Sequence, residues 1–217
     1  MRCVYVLVAG VAALAGCAAD SPYTSSNLAS YPRSDVAVAA VSASTITRDG
    51  FAKLGPGVNY IAFAKQGEGV HGRLESNGDS DLMWRAGFRH VRLPVHWSAH
   101  ANRTASAQID AAFLARVDAA VTRLLDQGFT VVITMMDYPQ LDGERPGWVE
   151  PSVKIGVIDL RFLAMWQQIA AHFAGRSDRV WFELYNEPHG RMTAAAWNDL
   201  SSRALRVVRH ATTSLMA

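Results

Sequence analysis

Residues 179–190 read RVWFELYNEPHG. The first half is aromatic and β-branched, the composition of a strand. It is apolar at successive positions, which suits a strand covered on both faces, as in a parallel sheet. The second half stops it. Pro188 has no N–H to give to a ladder, and it restricts the residue before it to extended geometry. The chain thus drives an apolar strand to its carboxyl end and leaves Asn186 and Glu187 there. With strict alternation, Glu183, Tyr185 and Glu187 are expected on one face. Glu183 would lie deep, where an unpaired charge is costly, and Arg92 is the expected partner. Glu187 would lie at the rim, beside a carboxamide suited to binding a hydroxyl.

Three similar runs precede it. They are GVNYIAF (57–63), FRHVRLPV (88–95) and FTVVITMM (129–136). Between them lie helical patterns. Asp110 is placed to cap a helix with Phe113, Leu114, Val117, Val121, Leu124 and Leu125 on one stripe, closed by Gly128. Asp159 is expected to cap a second, with Leu160, Leu163, Trp166, Ala170 and Phe173 inward. Thr193 is expected to cap a third, and a shorter helix should precede Gly87. Buried strands alternating with helices predict right-handed βαβ units and a parallel sheet, an α/β fold. Every candidate polar group follows a strand, which is where parallel barrels keep their chemistry.

The 217 residues are 50 % hydrophobic and 18 % charged, with a formal net charge of +2. That is globular composition, and no clustered basic face points to nucleic acid. Residues 1–16 have Arg2, a short apolar run and small residues, the pattern of a signal peptide. The run is too short to span a membrane, which takes about 20 residues. Leu14-Ala15-Gly16-Cys17 resembles the lipobox of bacterial lipoproteins, which implies a lipidated Cys17, a lipid anchor in the membrane and residence in the cell envelope, at the outer membrane, with periplasmic or secreted as the alternatives. Residues 17–53 read as a tether. Cys3 and Cys17 are the only cysteines, so cleavage before Cys17 would leave no intrachain disulfide.

The stretches LGPGVNYIAF, AGFRHVRLPVHWSAHA, IDAAFLARVDAAVTRLLDQGFTVVIT and FELYNEPHG together resemble glycoside hydrolase family 5, the cellulase-like (β/α)8 TIM-barrel enzymes. The resemblance runs from Leu54 to about Arg209. It implies retaining hydrolysis of β-linked polysaccharide or oligosaccharide without a cofactor. It assigns Glu187 as acid/base, Asn186 as the contact to the sugar 2-hydroxyl and Arg92 as support for the nucleophile. His96, Trp97, His100, Asp137, Tyr138 and Trp148, in the loops after the strands, are the further expected substrate contacts, although Trp97 and Trp148 are equally suited to plugging their loops onto the barrel. Two departures stand out. Met136-Asp137 replaces the family's usual His-His pair. The family nucleophile follows the seventh strand, and residues 54–217 hold only about four β/α units, so a partial barrel domain is expected. Glu183 lies roughly 13 Å back along the strand from Glu187, whereas retaining pairs sit about 5–5.5 Å apart. Glu144 and Glu150 lie in a loop. The alternative function is a catalytically inactive, at most glycan-binding, envelope lipoprotein.

Other chemistries find little support. His96 and His100 lack a third ligand and the H-E-x-x-H pattern, so no metal is expected. No G-x-S-x-G is present, and the glycines of KQGEGVHG lack the lysine and threonine of a phosphate loop.

Overall fold

The computed structural model describes residues 6–7, 54–63, 78–145 and 152–213. Its strands are β1 (Val6–Leu7), β2 (Gly57–Asn59), β3 (His90–Val95), β4 (Thr130–Met135) and β5 (Val180–Glu183). Its helices are α1 (Gly78–Arg85), α2 (Ala111–Asp126), the single turn α3 (Pro139–Asp142), α4 (Ile158–Phe173) and α5 (Ala194–Thr213). The strands form one sheet in the order β1-β5-β4-β3-β2. Every pairing is parallel, so β2 to β5 stand side by side in chain order.

The β1 pair lies inside the segment expected to be a leader, and its backbone runs beside Phe182 and Glu183. Cys17 and the tether expected over 17–53 lie outside the described residues.

The two faces of the sheet differ. Val91, Leu93, Val95, Val131, Ile133, Met135, Val180 and Phe182 form the main core with the helices. Register places Asn59 beside Arg92, Arg92 beside Val132, Val132 beside Trp181 and Thr134 beside Glu183. These residues share the opposite face. Among the described residues, Val132 and Trp181, with Leu54, make a small apolar cluster there. One face therefore drives burial, and the other carries charge.

Helix α2 forms as its pattern predicts. Asp110 accepts a hydrogen bond from the Phe113 N–H at 2.7 Å, satisfying one of the free donors of the first turn. Phe113, Val117, Val121, Leu124 and Leu125 are buried, while Leu114 is half-buried. Thr193 likewise caps α5, accepting from the Ala196 N–H at 3.3 Å.

Helix α4 departs from expectation. It starts at Ile158, and Asp159 is not its cap but is buried against Arg191, at 2.5 Å, and Arg203, at 3.6 Å. Its inward residues are Ile158, Phe162, Met165, Trp166, Ile169, Ala170 and Phe173, whereas Leu160 and Leu163 are only half-buried. Arg161, fully buried, explains part of the rotation. Its guanidinium donates to the carbonyls of Asn102, Ser98 and Ala101 and to the Tyr138 hydroxyl at 2.7–3.2 Å. Enclosing so many carbonyls offsets the cost of burying the cation.

Candidate active site

Arg92 organises the carboxyl ends of the strands. Its Nε donates to Glu183 Oε2 at 2.5 Å and its Nη2 to Glu183 Oε1 at 2.8 Å, a bidentate fork. The same Nη2 donates to Asn186 Oδ1 at 3.0 Å, and Nη1 to Asn59 Oδ1 at 3.2 Å. Thr134 adds its hydroxyl to Glu183 Oε2 at 2.8 Å. The carboxylate of Glu183 is thereby held by one cation and one hydroxyl, drawn from β3 and β4.

Beyond Glu183 the strand ends, and strict alternation fails. The Leu184 carbonyl accepts from the Trp166 indole N–H at 3.0 Å rather than from a ladder partner. The Asn186 N–H then donates back to the Met135 carbonyl at 3.0 Å. Tyr185 consequently enters the helix layer, with its ring 6.0 Å from that of Phe162 and 6.1 Å from that of Trp197. It does not share a face with Glu183, contrary to the sequence expectation. Glu187 is exposed and left-handed, with φ 48°, against the extended geometry expected of the residue before Pro188. Asp137, following β4, is also exposed and has φ 51°. Left-handed backbone at non-glycine residues costs about 1–3 kcal/mol and persists where surrounding contacts enforce it.

The remaining expected contacts divide. Trp97 has no exposed surface and packs edge-on to Phe113 at 5.7 Å, so it plugs its loop onto the core and does not present a sugar platform. Tyr138 is equally buried and is bound by Arg161, which keeps it from substrate as well. His96 is buried. His100 stacks on Phe113, with ring centroids 3.6 Å apart. Met136 is half-buried, and its N–H extends the ladder to the Val95 carbonyl at 2.9 Å. Trp148 and Glu150 lie outside the described residues. Among the described residues, no group of three or more His, Cys, Asp or Glu is placed to hold a metal ion. No described helix is long and apolar enough to cross a membrane.

A second polar cluster, unforeseen from the sequence, joins the loops after β4 and β5. Asp142, at the end of α3, is buried and contacts the Tyr185 hydroxyl closely. Its Oδ1 accepts from the His189 backbone N–H at 3.3 Å. Its backbone carbonyl accepts from the Arg191 N–H at 2.8 Å. Gly190 is required beside it: a Cβ there would stand 2.2 Å from that carbonyl oxygen. The His189 ring links the Glu187 carbonyl, at 2.7 Å, to Glu144 Oε1, at 3.1 Å. Burial pushes the Asp142 carboxyl up to about 6, against the downward pull of its bonds from Tyr185 and His189. The Glu187 carbonyl, and then Glu144, raise His189 despite some desolvation. Burial, then the nearby Asp142 charge, raises the Tyr185 phenol. The sequence signal for this cluster was the His189-Gly190 pair, since a glycine in a loop between strand and helix marks close backbone approach.

Parallel β/α units that gather polar side chains at the carboxyl ends of their strands belong to a fold class, the parallel (β/α) barrels. The chain belongs to glycosyl hydrolase family 5, the cellulase family, whose model matches residues 62–215. It is 36 % identical over 124 residues to endoglucanase H of Acetivibrio thermocellus, a match covering 57 % of this chain and 13 % of that protein. It is 36 % identical over 104 residues to a xyloglucan-specific endo-beta-1,4-glucanase of Bacteroides ovatus, covering 47 % of this chain and 19 % of the other. Among solved structures it resembles endoglucanase Cel5A of Thermotoga maritima, with 35 % identity and a TM-score of 0.62, over 72 % of this chain and 48 % of that one. The chain therefore spans about half of that structure, and its four neighbouring strands form about half of a (β/α)8 barrel.

Proposed function

We propose that the chain supplies the acid/base side of a retaining glycosidase site for β-linked glucan or a related polysaccharide. The observation that carries this reading is the Arg92 hub, which fixes Asn186 next to Glu187 at the mouth of the half-barrel. Glu187 protonates the leaving glycosidic oxygen, and its carboxylate later takes a proton from the attacking water. Asn186 bonds the 2-hydroxyl, an interaction that strengthens as the ring approaches an oxocarbenium ion. Endoglucanases among the relatives, and a Cel5A structure of Thermotoga maritima in complex with mannotriose, support the substrate class.

The mechanism needs a second carboxyl group across the bond. Glu183 is committed to Arg92 and Thr134, and Glu144 to His189. These commitments favour the alternative reading, in which residues 1–217 alone bind glycan without turning it over at enzyme rates. The test assays an aryl β-cellobioside and a soluble β-glucan with this chain, with a form extended to a full barrel, and with Glu187→Gln in each. Turnover only in the extended form, lost by about 10²–10⁴-fold in Glu187→Gln, is the expected result. Turnover unchanged by Glu187→Gln would overturn the assignment.

The lipobox-like Leu14-Ala15-Gly16-Cys17 supports an envelope lipoprotein anchored through Cys17. Mass spectrometry of the mature N-terminus should find an acylated Cys17. A free terminus at Ala18 or Ala19 without acyl mass would rule this out.

A further inference from the structure

Glu187 stands in a conformation that neither its residue type nor its neighbour favours. Its φ of 48° is left-handed, and Pro188 biases the residue before it toward extended backbone. Such a conformation persists where surrounding contacts over-determine it. The contact in place is the His189 ring, whose Nδ1 lies 2.7 Å from the Glu187 carbonyl oxygen. His189 makes it from a fixed base. Its N–H donates to Asp142 Oδ1 at 3.3 Å, and its carbonyl accepts from the Met192 N–H at 2.8 Å. On the far side of the ring, Nε2 lies 3.1 Å from Glu144 Oε1.

Donor counting fixes the protons of the ring. A carbonyl can only accept, so Nδ1 carries a hydrogen. A carboxylate can only accept as well, so Nε2 carries one too, and the ring is an imidazolium. The other assignment puts the second proton on Glu144. Both side chains are more than half exposed, at 57 % and 59 %, and a carboxyl in water yields its proton before an imidazolium does. Among the described residues, the charged and titratable groups facing the ring are Glu144 and Asp142, the latter 3.7 Å from Nδ1, with Tyr185 behind Asp142. Arg191, two residues on, turns its guanidinium away to the Leu141 carbonyl and to Asp159. The Glu187 carbonyl, then Glu144 and Asp142, raise the imidazolium above its ordinary value.

We propose that His189 is a positioning residue for Glu187: its Nδ1–H takes the Glu187 carbonyl and holds that residue left-handed, while Glu144 steadies the ring through Nε2. An ion pair this exposed adds little stability, so the pair matters for direction more than for the fold. Backbone rotation at Glu187 swings its Cβ and carboxyl together. A turn relaxed to the extended form that Pro188 prefers would aim the acid in another direction relative to Asn186. An acid must stand within hydrogen-bond reach of the oxygen it protonates. Loss of the charge frees Glu144 and leaves the grip: the proton on Nε2 departs, and Nδ1–H stays on the carbonyl.

The role rests on the acid/base assignment of Glu187, yet two of its readouts need no turnover. NMR of residues 1–217 supplies both. The imidazole nitrogen shifts of His189 read which ring nitrogens hold protons, and the Glu187 HN–Hα coupling reads φ. Below the titration of the ring, both nitrogens should be protonated. Above it, the one remaining proton should sit on Nδ1, whereas a histidine loose in water favours Nε2. Three variants separate the two nitrogens. An asparagine amide stands where Nδ1 stands, and a glutamine amide reaches where Nε2 reaches. His189→Asn should hold the Glu187 coupling at its left-handed value, while His189→Gln and His189→Ala should move it toward the extended one. A neutral ring protonated on Nε2, or a coupling unmoved in His189→Ala, overturns the proposal. So does a coupling that His189→Gln preserves and His189→Asn loses. In a form extended to a full barrel, His189→Gln should lower kcat by up to about 100-fold with KM nearly constant, and His189→Asn should recover most of that loss. A kcat indifferent to His189→Gln, with the NMR result intact, would overturn the acid/base role of Glu187 and not the grip on its turn.

Discussion

Arg92 bridges three residues from two segments, and it does so where the side chains are only partly shielded, at 23 % exposure for Arg92 and 13 % for Glu183. A pair at this depth is costly to break from one side. Arg92→Leu leaves Glu183 with Thr134 as its remaining partner and removes the donor that orients Asn186. The expected loss is about 3 kcal/mol, the low end for orphaning a buried charge, because some water reaches the pair. Arg92→Lys should also lose stability, since a point charge cannot reproduce the fork that meets both carboxylate oxygens. Arg92→Leu combined with Glu183→Leu should recover most of the loss, because hydrophobic replacement of both ions removes the uncompensated charge. Chemical denaturation of the single and double variants measures this. A double variant no more stable than Arg92→Leu would show that the cost lies in the packing of Arg92 and not in the stranded carboxylate. The pairing of Glu183 with Arg92 was legible in the sequence, because a carboxylate inside an apolar run demands a cation and Arg92 sits at the matching depth of another strand.

At the scale of elements, legibility followed how local the determinants are. Helix α2 was readable because its cap, its stripe and its closing glycine all lie within the helix or next to it. The inward face of α4 was not, because Asp159 answers to Arg191 and Arg203, and Arg161 answers to carbonyls at Ser98, Ala101 and Asn102. No periodicity in the sequence of α4 encodes partners so distant. The end of β5 misled for a similar reason. Apolar alternation continues to Tyr185, but the Trp166 indole takes the Leu184 carbonyl, and the chain turns there. Trp97 was balanced between a sugar platform and a loop plug, and packing against Phe113 decides for the plug. Asp142 was invisible because it ends a single helical turn too short to show a pattern. Its importance comes from Tyr185 and Gly190, more than forty residues later.

The whole molecule should register Asp142 in its stability. An unfolded aspartate titrates near 3.8, whereas the folded Asp142 titrates near 6 because burial disfavours its charge. Between those values the folded chain holds a proton that the unfolded chain has released, so stability falls as pH rises. The contribution is complete below pH 3.8, declines across the interval and is lost once pH passes 6. A displacement of that size corresponds to about 3 kcal/mol. His189 acts with the same sign over a higher range, because its raised folded value makes its contribution complete below 6.5 and lost above the folded value. The remaining groups can move the absolute curve either way, so the informative quantity is the difference between wild type and Asp142→Asn. Asparagine has the shape of the protonated acid and does not titrate. Against that reference, the wild type should lose stability by roughly 2 kcal/mol from pH 4 to pH 7, with most of the change below pH 6.5. Denaturation series at pH 4, 5, 6 and 7 on both proteins measure it. Parallel curves would mean that Asp142 ionises without penalty in the fold, and that water or a rearranged His189 already compensates its charge. A difference that opens only above pH 6.5 would assign the titration to His189. The predicted order, with Asp142→Asn gaining on the wild type as pH rises, requires a neutral acid at the junction of the two loops that frame Glu187.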